Sequence, residues 1–370
     1  MTNDLLYQLA LTQVPHIGCV HAKLLIQQFH SAEAIFKSRM TDLEKIEGIG
    51  SVRARCIKTF NQFTKAEKEI AFMEKYKIRP LFLSEPDYPQ RLLHCYDSPT
   101  ILFYRGQANL NASRVVAVVG TRSNTEYGKH LTEKFIKDLE PLNILVVSGL
   151  AFGIDAIAHK SALKHNLSTV GVLAHGLDSL YPPEHTNLAK DMVKRDGGLL
   201  TEFFSDTVAD KHNFPTRNRI VAGMSDAVVV IETGLKGGSM ITADLANGYN
   251  RDVFAFPGKT TDTKSAGCNY LIKNNKAILL IEAQELAEIM GWNAPAKKNA
   301  PGSSQKELFV ELNAEEKAVV AILLEKPSVH IDELNIRSGL SNSTMAAALL
   351  NLELQNIVQS LPGKMYQLIP

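Results

Sequence analysis

Between positions 211 and 219 the chain reads Lys211-His212-Asn213-Phe214-Pro215-Thr216-Arg217-Asn218-Arg219, three cations and an aromatic ring within nine positions. Cations attract phosphates, and an unpaired base stacks on such a ring for ~1–3 kcal/mol. A duplex hides its base faces, so this combination favours single strands. The plainer alternative is that Arg217 and Arg219 form internal ion pairs while Phe214 packs in the core. Two glycine-containing stretches lie upstream. Gly120-Thr121-Arg122 follows an apolar run, and Ser148-Gly149-Leu150-Ala151-Phe152-Gly153-Ile154-Asp155 follows another. Glycine permits close backbone approach, hydroxyls donate to phosphate oxygens, and a nascent helix offers free N–H groups. Arg122 adds a planar fork suited to phosphate. A fourth stretch, Gly237-Gly238-Ser239, opens another helix. On neighbouring strands, such turns are expected to form one continuous anion-binding rim.

Several enzyme chemistries are disfavoured by the same residues. There is no Gly-x-Gly-x-x-Gly at 120, and position 123 is Ser where a P-loop ending in Gly128-Lys129 needs glycine. Asp155 and His159 stand four residues apart and share a helix face, a spacing that would suit an acid–base pair. The alternative is a helix N-terminal carboxylate that orients a histidine or Arg122. Cys19, Cys56, Cys95 and Cys268 are far apart and include no Cys-x-x-Cys, so reduced thiols in a cytoplasmic protein are expected, with no zinc or other metal site. No cofactor is expected.

The elements that must position these residues show in the apolar pattern. Unalternated β-branched runs at 115–119, 144–147, 169–173, 199–201, 227–231, 253–256 and 277–281 read as strands buried on both faces. Amphipathic helices are expected between them, as at 126–139 and 154–165. That is an α/β, doubly wound, mostly parallel, Rossmann-like sheet over 76–292, whose ligands belong at the carboxyl ends of its strands. Residues 1–75 have helical spacing only and form a SAM- or helix-hairpin-helix-like domain. Its Ile46-Glu47-Gly48-Ile49-Gly50 turn has a degenerate earlier copy at Val14-Pro15-His16-Ile17-Gly18. Residues 293–306 read as a flexible tether. Three helices at 314–324, 332–338 and 341–353 and a hairpin at 357–368 then give the order of a winged helix over 307–370. Its third helix lacks Lys and Arg, which favours protein contact over duplex DNA.

Composition agrees with a folded, multi-domain chain. The 370 residues are 45% hydrophobic and 21% charged, with 40 Lys and Arg against 39 Asp and Glu. No apolar run approaches the ~18 residues needed to span a bilayer, and the first residues lack the basic start of a secretion signal. Charge is unevenly spread: residues 307–370 hold 4 basic and 8 acidic groups, so a nucleic-acid surface must be a local patch elsewhere.

In this order the motifs resemble the DNA-processing protein A (DprA/Smf) family. They are Gly120-Thr121-Arg122, Ser148-Gly149-Leu150-Ala151-x-Gly153-Ile154-Asp155-x3-His159, Gly176-Leu177-Asp178-x-x-Tyr181-Pro182, Phe214-Pro215-x-Arg217-Asn218-Arg219-Ile220 and Gly238-Ser239-x-Ile241-Thr242-Ala243. The resemblance extends over essentially the whole chain. It implies a non-catalytic single-stranded DNA binder that protects incoming strands in natural transformation, relieves the barrier set by single-strand-binding protein, and loads the RecA recombinase. It also implies a homodimer formed through the core. The family's DNA pocket maps to Gly120, Thr121, Arg122, Ser148, Gly149, Gly153, Lys211, Phe214, Arg217, Asn218, Arg219, Gly238 and Ser239. Departures occur at Phe152, often basic in the family, at Gly237, usually a small hydroxyl residue, and at Asn275-Lys276 in place of Gly-Ala. A different class of activity, a nucleotide-processing hydrolase on a related Rossmann-like fold, would need a glutamate that the stretch after Glu232 lacks.

Overall fold

The computed structural model describes residues 3–292 and 312–369. They fall into two compact units, 1–281 and 282–370. The expected tether at 293–306 lies outside the described residues. Among those residues, no helix is long and apolar enough to cross a membrane.

Unit 1 is built on a nine-stranded sheet. In chain order its strands are β1 (Arg79–Phe82), β2 (Ile101–Gly106), β3 (Val115–Gly120), β4 (Leu145–Ser148), β5 (Thr169–Val172), β6 (Gly198–Thr201), β7 (Ala227–Ile231), β8 (Asp252–Ala255) and β9 (Ile278–Leu279). Their spatial order is β1-β2-β6-β5-β4-β3-β7-β8-β9. From β6 to β9 every pairing is parallel. β4 to β7 are fully buried, because helices cover both faces and leave no polar alternation to read. From β3 the chain winds outward through β4, β5 and β6, then returns to the other side of β3 for β7. The sheet reverses direction there, and a crevice opens at the carboxyl ends of β3 and β7.

Two strands were not anticipated. β1 and β2 pair antiparallel with each other, and β2 pairs antiparallel with β6, so the sheet is mixed at this edge. Ile101-Leu102-Phe103-Tyr104 is a short apolar run, which periodicity does not distinguish from a buried helical turn. Pro80 interrupts the other run and is tolerated because β1 is an edge strand.

The six N-terminal helices, from Asn3–Leu11 to Thr64–Tyr76, form no separate unit. Tyr7, Phe36, Phe60 and Phe63 pack ring against ring among them. Polar side chains then tie the bundle to the sheet. Lys23 donates to the carbonyls of Leu93 (2.5 Å) and Cys95 (3.1 Å). The buried Glu69 carboxylate accepts from the Ser205 N–H and from its hydroxyl at 2.5 Å.

In unit 2, helices Ala314–Leu324, Ile331–Ser338 and Asn342–Leu354 pack over a three-stranded sheet of order β10-β12-β11. The strands are β10 (Val329–His330), β11 (Val358–Leu361) and β12 (Met365–Leu368). Asn313 and Glu316 close a reciprocal capping box at the first helix, and Gly339 ends the second in a left-handed conformation. This is the winged-helix arrangement, with Val319, Leu334, Met345, Leu352 and Val358 in its core.

Glu69→Ala would leave the Ser205 N–H buried without its acceptor. The expected loss is about 1–3 kcal/mol of unfolding free energy in urea titration of the full chain.

Candidate nucleic-acid interface

The crevice holds a cleft of about 520 Å³ lined by Gly120, Thr121 and Arg122 after β3, Gly149 and Ala151 after β4, Thr233 and Gly234 after β7, Lys211, Phe214, Arg217 and Asn218 from the turn and helix Asn213–Gly223, and Gly238 and Ser239 at the start of helix Gly238–Gly248. Ten of these lining residues come from the candidate set read in the sequence.

Arg122 is exposed, and its guanidinium carbon lies 4.8 Å from the centre of the Phe214 ring. Among the described residues Arg122 makes no ion pair, and neither does the exposed Lys211. Positive charge in the cleft is therefore open to an anion. The Asn218 amide donates to the Gly238 carbonyl (3.3 Å), joining the helix that carries Phe214 to the helix whose first turn opens on the cleft. The Ser239 hydroxyl donates to Thr233 Oγ1 (2.7 Å). Helix Gly238–Gly248 leaves its first N–H groups unbonded within the helix, and they add positive potential at that wall.

Arg217 is 4% exposed and lies in the floor of the cleft. It donates to the carbonyls of Gly149 (2.5 Å) and Val172. Burial lowers its guanidinium to about 10, Asp155 works in the opposite direction, and Arg122 adds to the lowering. A side chain at Gly149 would run into that guanidinium, so the position has room only for glycine. Gly153 has φ +75 and its missing Cβ would strike the Thr121 carbonyl; it sits behind the β3 loop and does not line the cleft.

Asp155 accepts from the N–H groups of Gly149 (3.1 Å) and Ala151 (3.4 Å). Burial raises its carboxyl above the ordinary range, against the pull of Arg217 and those N–H groups. His159 turns elsewhere, with Nδ1 2.6 Å from the Thr169 hydroxyl, and burial lowers it to about 3. An acid–base pair is therefore not formed: the carboxylate orients a loop, and the imidazole stays neutral.

Three expectations are corrected by this geometry. The turn after β4 does not extend a rim of free N–H donors, because Asp155 already occupies two of them. Ser148 is fully buried, its hydroxyl bonded to the Val118 carbonyl (2.6 Å), so it does not reach the cleft. Arg219 points away, since residues two apart on a helix do not share a face. It pairs with Glu202, donates to the Asp97 carbonyl, and lies 3.5 Å from Cys19 Sγ of the N-terminal bundle. The internal ion pair thus holds for Arg219. Arg217 is likewise turned inward, though onto carbonyls.

Thr233 and Tyr181 were missed as neighbours of the cleft. Tyr181 stands 6.1 Å from Phe214, ring centre to ring centre. The Tyr-Pro dipeptide offered a signal, although its loop is distant in sequence from 214. Glu232, buried at the end of β7, accepts from the Thr125 N–H (2.9 Å), which fixes the loop bearing Arg122. In the N-terminal bundle, Gly48 (φ +86) and Gly50 (φ +59) make the helix-hairpin-helix turn, and Arg53 donates back to the carbonyls of Gly48 (3.0 Å) and His16 (3.2 Å).

Arg219→Ala would strand the Glu202 carboxylate in a largely buried place. It is expected to lower the unfolding free energy by about 3–5 kcal/mol in urea titration. Arg122→Ala, on the surface, should change it by no more than ~0.5 kcal/mol.

Comparison with known proteins agrees with this architecture. Residues 79–291 match the family described as DNA recombination-mediator protein A, residues 303–364 the DprA winged helix domain, and residues 6–70 a helix-hairpin-helix motif. The Smf protein of Synechocystis sp. is 33% identical, with 98% of each chain covered. The DNA processing protein DprA of Streptococcus pneumoniae is 40% identical over 201 residues, 54% of this chain and 71% of that protein. A crystal structure of the pneumococcal protein superposes with a TM-score of 0.63 at 32% identity, covering 78% of this chain and 98% of that one. DNA processing protein A from Helicobacter pylori, described for its unique single-stranded DNA binding mode, gives a TM-score of 0.52 at 29% identity, covering 58% of this chain and 95% of that one. With its sheet unit, its winged helix and its helical N-terminus all matched, the chain belongs to the DprA/Smf family of DNA recombination-mediator proteins.

Proposed function

We propose that the chain binds single-stranded DNA in the cleft at the ends of β3 and β7, without hydrolysing it. In this reading it acts in the cytoplasm during natural transformation. It protects incoming strands, relieves the barrier set by single-strand-binding protein and loads the RecA recombinase. The observation that carries the reading is Arg122, exposed, without a carboxylate partner among the described residues and laid against Phe214, with exposed Lys211 lining the same cleft. Cations serve phosphates of any sequence and a ring serves any unpaired base, which is the pairing a sequence-tolerant single-strand site needs. The DNA binding described for the Helicobacter pylori relative supports it. Binding without hydrolysis is supported by Asp155, His159 and Glu232, each engaged by a neighbouring N–H or hydroxyl.

The same reading includes a homodimer formed through the sheet unit. Its support is β9, the outermost strand, where Ile278 and Leu279 are 40% and 43% exposed, with Tyr270 of helix Ala266–Lys273 at 43%. An apolar edge strand is a ready surface for pairing with a second copy.

Fluorescence anisotropy of a labelled oligo-dT and its duplex, across salt, tests the binding. Wild type should prefer the single strand, with log K falling by ~0.7 per neutralised phosphate for each unit of log salt. Arg122→Ala should weaken binding about tenfold or more and flatten that slope; unchanged affinity in the folded variant overturns the cleft assignment. Assembly of RecA on DNA coated with single-strand-binding protein should accelerate when the chain is added, and no acceleration removes the mediator role alone. Sedimentation should give a dimer for wild type and a monomer for Leu279→Asp; a monomeric wild type overturns the dimer.

A further inference from the structure

Beside the phosphate cleft lies a second, narrow cavity of about 20 Å³, lined by Phe152, Tyr181, Phe214 and Pro182, with Arg122 and Arg217 shared between cavity and cleft. Its aromatic residues come from three separate segments: the loop after β4, the loop that follows β5, and the start of helix Asn213–Gly223. Two of them carry unusual exposure for large apolar rings, 41% for Phe152 and 49% for Tyr181. Each is braced from behind. Phe152 meets His185 edge-on at 5.1 Å, and His185 is buried with Nδ1 2.9 Å from the Leu150 carbonyl. Tyr181 leans on Phe214, whose own face is taken by Arg122.

We infer that Phe152 and Tyr181 form a base-stacking platform that continues the path of the strand beyond the phosphate cleft. The inference rests on the single-strand reading and adds to it where the bases go. The cavity between the rings has room for about one water, so no base inserts there. The outward faces remain, flat and apolar, backed by the buried His185 and the half-buried Phe214. Rings that are already fixed lose little side-chain freedom when a ligand covers them. Open cations next to fixed aromatic faces match the alternation of charge and flat base along an unpaired strand; a duplex, with its bases turned inward, gains nothing from the rings. Phe152 is the more telling of the two, because it stands one residue from Ala151 and Gly153 in a loop that Asp155 holds still.

Anisotropy with the full chain and two labelled strands of equal length, oligo-dT and an abasic sugar–phosphate strand, tests this. Wild type should bind oligo-dT about 5- to 150-fold more tightly than the abasic strand. Phe152→Ala and Tyr181→Ala should each weaken oligo-dT binding about fivefold or more, with abasic affinity and salt slope unchanged, and Tyr181→Phe should retain wild-type affinity. Phe152→Arg should steepen the salt slope by ~0.7 and narrow the gap between the two strands. If both strands bind but the Phe152→Ala, Tyr181→Ala double variant holds oligo-dT as wild type does, the platform is overturned and the cleft stands. If the variants lose abasic binding as well, the rings act on the fold and the platform is again overturned. If wild type binds neither strand, cleft and platform fall together.

Discussion

Arg217 reaches beneath the loop that follows β4 and donates to the carbonyls of Gly149 and Val172, while Asp155 gathers the N–H groups of Gly149 and Ala151 from the other side. A buried cation and a buried carboxylate thus grip one short turn through its carbonyls and its N–H groups. Neither charge is tolerable in the interior alone, and removing either would leave the other uncompensated. Because that turn is fixed, Gly153 can back directly onto Thr121 and hold the neighbouring loop. Arg122 then projects into solvent from a rigid base.

Charges that look alike in the sequence divide into two kinds by this means. Arg217 and Asp155 are buried in the floor of the cleft, whereas Arg122 and Lys211 are exposed. The position of the whole arrangement follows from topology. Only at β3 and β7 do successive crossovers leave in opposite directions, so only there can loops from both halves of the sheet face a common space. Helix Asn213–Gly223 runs past that space with Arg217 on one side and Arg219 on the other, and so links the cleft to the N-terminal bundle through Cys19.

Much of the architecture was legible in residue order, for a physical reason. β3, β4, β5 and β7 are buried on both faces and therefore appear as unbroken β-branched runs, and helices 126–138 and 154–164 fell within a residue of expectation. β1 and β2 were not legible, because Pro80 and a short aromatic run carry no period. The site was half legible. Residue type announced a cleft at the strand ends lined by cations, a ring and glycine turns, and Arg122, Lys211, Phe214, Gly238 and Ser239 do line one. Direction was hidden: whether Arg217 or Arg219 points out depends on helix phase relative to a sheet assembled from distant segments. Nor could spacing reveal that Asp155 turns to Gly149 and leaves His159 to Thr169.

The two borders of the sheet are unlike. At one, β1 places Pro80 opposite Phe103 and begins with Arg79, so it lacks a donor there and carries a charge. At the other, β9 is short and apolar. Growth by strand addition is thereby confined to a single border, and open border can meet only open border. A contact of open border with open border would be two-fold and self-satisfying, and would stop at two copies. A sheet with one receptive border is thereby kept from the open-ended filaments that two such borders invite.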